Sequence, residues 1–134
     1  HAEIVKMLIA AGVNAKEICK HGTTMLHWAA YYGHVDVVEI LLKEGVPVNQ
    51  ASIEGIIPIT YAAQKGHGAV VKALIKAGAD INHADNKGFT PILLATQNGH
   101  KSVVNILVKA GADTSTDKNK GLHIFHKPKR KKKK

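Results

Sequence analysis

Apolar residues in this chain return every three or four positions, in blocks separated by polar, turn-prone stretches. Ile4, Val5, Met7, Leu8 and Ile9 form the first block, and Val37, Val38, Ile40, Leu41 and Leu42 the second. Val70, Val71, Leu74 and Ile75 follow, then Val103, Val104, Ile106, Leu107 and Val108. Such spacing gathers each block on one face of a helix, whereas a strand would alternate apolar with polar residues. Shorter segments precede the last three blocks, and the pairs Ala29 with Ala30 and Ala62 with Ala63 give them small faces for close packing. Thr90 is placed to cap one of these segments, and Pro91 suits the first helical position, where its missing N–H costs nothing. Gly33, Gly66 and Gly99 are expected to close the first type of helix as left-handed caps, and Gly45, Gly78 and Gly111 the second. Roughly ten residues rich in Asn, Asp, Ser and Gly then lead to the next segment, a composition that favours turns. The pattern predicts seven helices, one within residues 1–11 and two in each of three complete units, and no strand longer than a few residues.

These segments recur with a period of 33 residues. Gly22, Gly55, Gly88 and Gly121 fall in register, as do Gly12, Gly45, Gly78 and Gly111, and Gly33, Gly66 and Gly99 are each followed by a histidine, His34, His67 and His100. A fixed period in this range is the mark of a stacked-repeat architecture, in which each unit buries its apolar face only against its neighbours. The units are 22–54, 55–87 and 88–120. Residues 1–21 read as the second helix and finger of a further repeat, because His1 aligns with His34, and the chain is expected to be a piece of a longer array. Residues 121–126 start another unit as a stub, and 127–134 form a basic tail.

The tetrads Thr24-Met25-Leu26-His27, Ile57-Pro58-Ile59-Thr60 and Thr90-Pro91-Ile92-Leu93, the Gly-His pairs, and the run Gly78-Ala79-Asp80-Ile81-Asn82 together resemble ankyrin repeats. The resemblance covers nearly everything from His1 to His126 and implies an all-α solenoid of about three and a half repeats, built from helix-turn-helix units joined by finger loops. Each tetrad departs from the family's Thr-Pro-Leu-His form: Met25 takes the proline slot, and Thr60 and Leu93 take the histidine slot. The resemblance also implies a protein-binding scaffold that acts through its finger tips and the concave face of its first helices. Carried over by position, this nominates Lys20, His21, Thr23, Tyr31 and Tyr32 in the first complete unit. In the second it nominates Ile53, Glu54, Ile56, Gln64 and Lys65, and in the third Asn86, Lys87, Phe89, Gln97 and Asn98. Tyr31, Tyr32, Ile53, Ile56 and Phe89 are apolar or aromatic groups in slots that face water, the kind of group that anchors interfaces. Trp28 stands in a slot that is normally apolar and half-buried between units, so it is expected to pack in the core.

Composition agrees with a helical stack. Of the 134 residues 45% are apolar but only 4% aromatic, so the core is expected to consist of Ala, Val, Ile and Leu. The net charge of +9 is concentrated at one end: Lys127, Lys129, Arg130, Lys131, Lys132, Lys133 and Lys134 hold seven of the nineteen basic groups. The rest of the chain is nearly neutral, with twelve basic against ten acidic residues. That tail resembles a nuclear import signal, and it supports an alternative function, targeting to nucleic acid or an anionic surface. A single cysteine, Cys19, excludes an internal disulfide, and no segment reads as a signal peptide or approaches the ~18 apolar residues of a membrane span. An intracellular monomer, cytoplasmic or nuclear, is expected.

Catalysis has little to rest on. Nine histidines suggest metal binding, yet His34, His67 and His100 recur once per repeat, and helices pack ~8 to 10 Å apart whereas zinc needs its nitrogens within ~2.1 Å. They are expected to satisfy backbone groups at turns and helix ends. His123 and His126 have the spacing of a two-ligand clip but occupy repeat slots, without a nearby pair of Cys or carboxylate ligands. Cys19, beside Lys20 and His21, fills a slot where the family usually has Asp, as Asp85 does here. Asn82 resembles an asparagine hydroxylated in some animal ankyrin repeats, although its position is first that of a turn residue. No glycine-rich phosphate loop and no nucleophile with its base is spelled out. The expectation is a non-enzymatic binding module with no cofactor and no metal.

Overall fold

The computed structural model describes residues 2–113 apart from positions 13 and 15, so the stub at 121–126 and the tail at 127–134 lie outside the described residues. Its helices are α1 (Ala2–Ala10), α2 (Met25–Tyr32), α3 (Val35–Lys43), α4 (Pro58–Lys65), α5 (Gly68–Lys76), α6 (Pro91–Gln97) and α7 (Lys101–Lys109). A single 3-10 turn spans Lys20–Gly22, and the described residues contain no strand. Seven helices therefore stand where the apolar spacing predicts them.

Each complete unit is a helical hairpin: α2 packs on α3, α4 on α5 and α6 on α7. The hairpins stack in two rows, α2, α4 and α6 in one and α1, α3, α5 and α7 in the other. Repetition of slots explains the stack. Leu26, Ile59 and Ile92 occupy one slot, Leu41, Leu74 and Leu107 another, and all six are fully buried. The alanine pairs 29–30 and 62–63 lie against them, and among the described residues no aromatic ring is found in the buried hydrophobic set. Small side chains allow the first-helix row to pack closely, which rings at those slots would prevent.

Helix ends follow the sequence. Pro58 and Pro91 begin α4 and α6, and the Thr90 hydroxyl accepts the Leu93 N–H at 3.3 Å. Gly66 closes α4 in the left-handed region at φ 78°, where a side chain is strained. It is required for a second reason as well, because a Cβ there would lie 2.6 Å from Nδ1 of His100 in the next unit. Gly33 stands in the same relation to His67. The Gly-His pair is thus a joint between units, with the histidine of one ring-packed on the glycine of the unit before.

Candidate partner-binding face

The surface on which the nominated residues sit is held by hydrogen bonds that cross from unit to unit. Nε2 of His67 donates to the Tyr31 carbonyl at 3.0 Å, and Nε2 of His100 to the Gln64 carbonyl at 3.0 Å. Each histidine therefore satisfies a carbonyl at the end of the preceding first helix. Among the described residues no group of three or more His, Cys, Asp and Glu side chains comes together as a metal site would need.

The fingers are tied in the same way. The Ile53 N–H donates to the His21 carbonyl at 2.7 Å, and one period later the Asn86 N–H donates to the Glu54 carbonyl at 2.9 Å. Nδ2 of Asn86 adds a bond to the Ile53 carbonyl at 2.9 Å, and His83 Nε2 reaches the Gly55 carbonyl at 2.8 Å. Asn49 and Asn82, in equivalent slots, accept the backbone N–H groups of Asp80 at 2.9 Å and Asp113 at 2.7 Å. Within a finger, Asp85 Oδ1 accepts from Lys87 and Phe89, both at 2.9 Å, and Ser52 Oγ accepts from Glu54 and Ile56 at 3.3 and 3.2 Å. Short polar side chains that bond their own backbone two and four residues on make a compact turn. Cys19, in their slot, is an exposed free thiol.

An aromatic cluster joins two first helices. Tyr31 meets Tyr32 edge-on with centroids 4.9 Å apart, Tyr61 at 5.3 Å and Trp28 at 6.3 Å. Nζ of Lys65 sits 4.7 Å over the Tyr31 ring, within cation–π range. Burial raises the Tyr61 phenol above its ordinary value, and the Glu54 carboxylate and Tyr31 add to the effect, so the hydroxyl stays a donor. Beneath it lies His27, 6.1 Å from Tyr61 and fully buried. Nδ1 of His27 accepts the Thr24 N–H at 3.0 Å, so its proton is on Nε2, which donates to the Ile56 carbonyl at 2.9 Å. Burial lowers its pKa, with bonds to the Ile56 and Gln50 backbone opposing the shift.

Most nominated residues reach the surface, with different degrees of freedom. Lys20, His21, Ile53, Glu54, Lys65, Asn86, Lys87, Gln97, Asn98 and Tyr32 are exposed, and Tyr31, Ile56, Gln64 and Phe89 are half-buried. Ile53 at 70% and Tyr32 at 60% relative exposure are the most open of the large apolar side chains in this set. Asn86 is exposed yet bonded to the preceding finger, and Asn98 Nδ2 reaches the Leu94 and Gln64 carbonyls at 3.0 and 3.3 Å. Both belong to the joints between units as much as to the surface.

Two expectations need correction. Thr23 does not face water: it is 8% exposed, because its carbonyl accepts the Cys19 N–H at 2.7 Å and folds the end of the finger back on itself. Its hydroxyl donates to the Lys20 carbonyl at 3.4 Å. Trp28 is not a core residue: it is 46% exposed. Tyr61, in the same slot one unit later, is covered by α2, whereas among the described residues no first helix packs on the Trp28 side of α2. The indole instead borders an open groove with Met25, Tyr32 and Val37. Trp28 and Tyr61 are the members of the cluster absent from the residues that the sequence points to, and their signal is the large side chain shared by positions 28, 61 and 94.

No helix among the described residues is long and apolar enough to cross a membrane. A family model described as ankyrin repeats (3 copies) matches residues 1–52 and 45–118. Comparison with curated proteins finds no match.

Proposed function

The chain belongs to the ankyrin-repeat family, whose members are generally protein–protein interaction modules, and from that premise we propose that it binds a partner protein through the first-helix row and its fingers. The contact surface runs from Trp28, Tyr31, Tyr32 and Lys65 to the finger tips at Lys20, Ile53, Glu54 and Lys87. The observation that carries this reading is the aromatic cluster of α2 and α4, which stays partly open although the buried hydrophobic residues among those described are all aliphatic. Rings held against one another lose little freedom on binding and offer large contact areas, the usual basis of hot spots. The chain acts as a monomeric scaffold with no catalytic residue, and cross-unit bonds keep its surface in one shape.

The test is to immobilise the full chain, identify the protein it retains, and compare retention with that of Tyr32→Ala/Ile53→Ala. Loss of the partner from the variant, with unchanged helicity, is the expected result, and equal retention rejects this face. A second reading rests on the seven cations of residues 127–134, which suit nucleic acid or an anionic surface. Deleting that tail leaves partner binding intact under the first reading and abolishes function under the second.

A further inference from the structure

We propose that the groove between α5 and α7 binds an acidic, leucine-bearing segment of a second partner protein. The groove lies in the row of second helices rather than in the row that carries the aromatic cluster. It encloses about 500 Å³, lined by Lys72, Ile75 and Lys76 from α5 and by Asn105, Ile106 and Lys109 from α7. Ile75 and Ile106 are half-buried, whereas Lys72, Lys76 and Lys109 are exposed around them, so an apolar floor is rimmed by positive charge.

Neither helix supplies a carboxylate, since α5 reads GAVVKALIK and α7 reads KSVVNILVK. Lys72 and Lys76 are one helical turn apart, an arrangement in which like charges repel. The ion pairs of the described residues, Lys6 with Glu3 and His83 with Asp80, lie elsewhere. The excess of charge is not a general property of this row. Two steps earlier in the row, the groove between α1 and α3 sets Glu3, Asp36, Glu39 and Glu44 against Lys6 and Lys43. Charge therefore changes from mixed to wholly basic along the row.

Complementarity decides the occupant. Carboxylates would meet the lysine rim on both helices, whose axes lie ~8 to 10 Å apart when packed, so one polypeptide segment lying along the surface groove reaches both. Aliphatic side chains would cover Ile75 and Ile106, which a phosphate backbone leaves wet. An acidic peptide with leucines uses both features, and a nucleic acid uses only the rim.

The experiment follows isoleucine methyl signals of the full chain in solution. The probe is a synthetic peptide with glutamates on one side and leucines on the other. Controls are a scrambled peptide of the same composition and an oligodeoxynucleotide of equal charge. The methyls of Ile75 and Ile106 are expected to shift with the first peptide. Lys72→Glu/Lys76→Glu should weaken its binding about tenfold or more, and Lys109→Glu should weaken it in the same direction. Lys131→Glu/Lys132→Glu, an equal change of charge in the tail, should alter it less than about twofold. The proposal fails if the tail variant weakens binding as much as the groove variant, because the tail then holds the peptide. It also fails if the scrambled peptide or the oligodeoxynucleotide binds the same methyls equally well, or if those methyls do not respond.

Discussion

His27 and Thr60 occupy the same slot in successive units, and they show how much one buried polar group depends on its partners. His27 is neutral in the fold because Nδ1 accepts the Thr24 N–H, so protonating that nitrogen would cost the bond as well as bury a charge. The unfolded chain takes up this proton near pH 6.5, at the ordinary histidine value, while the folded state resists it. Stability from this group is therefore complete above the unfolded value and is lost as pH falls toward the lowered folded one. Urea midpoints at about pH 7.5 and 5.5 should show that loss, and His27→Gln should flatten the part of the slope that belongs to this residue. Thr60 is buried as deeply, but its hydroxyl has no hydrogen-bond partner. Thr60→Val is accordingly expected to raise the unfolding free energy by ~1 kcal/mol, seen as a higher urea midpoint, since it removes an unsatisfied group and keeps the volume. A lower midpoint would mean that the hydroxyl is bonded. The sequence already shows the histidine missing from this slot, but whether anything replaces its bonds depends on the distance to the Phe89 side of the next finger, which no local pattern encodes.

Helices and their ends were the most legible part of the chain, because they depend on spacing and on capping residues within a few positions. The glycine caps were read from the sequence as a backbone requirement alone. At Gly66 the His100 ring adds a steric requirement from another unit, whereas Gly99, at φ 75°, has no atom of the described residues within 4 Å of the Cβ position. The two differ in a measurable way. Gly99→Ala is expected to cost ~1 kcal/mol from the left-handed backbone, while Gly66→Ala should cost more, because the histidine ring must also move and give up the Gln64 carbonyl. Equal losses on urea denaturation would show that the joint between units carries no energy. Gly78→Val belongs with Gly99: φ 95° and open space predict a cost above ~1 kcal/mol from backbone strain alone. Trp28 and Thr23 depart from the expectation of their slots for a related reason. Exposure at a repeat slot is set by the unit before it or by closure of the finger, neither of which is contained in the helix pattern.

Considered whole, the molecule is a row of units that touch only their neighbours, so its surface keeps its shape through the joints rather than through one central core. That architecture separates residues that hold the stack from residues that remain free to bind. Leu41 is fully buried, and Leu41→Ala should cost ~2 to 5 kcal/mol by leaving a cavity. Tyr31 and Phe89 are half-buried, so removing them would mix the two roles. Tyr32 and Ile53 are free of that ambiguity. The direct test of a binding face built on a self-sufficient stack is therefore Tyr32→Ala/Ile53→Ala, measured for urea stability and for affinity to the retained partner on the same preparation. Stability is expected to stay within about 0.5 kcal/mol per site of the parent while affinity falls by ~2 kcal/mol or more. A variant that keeps the parent's affinity, or that loses stability as Leu41→Ala does, would contradict the account.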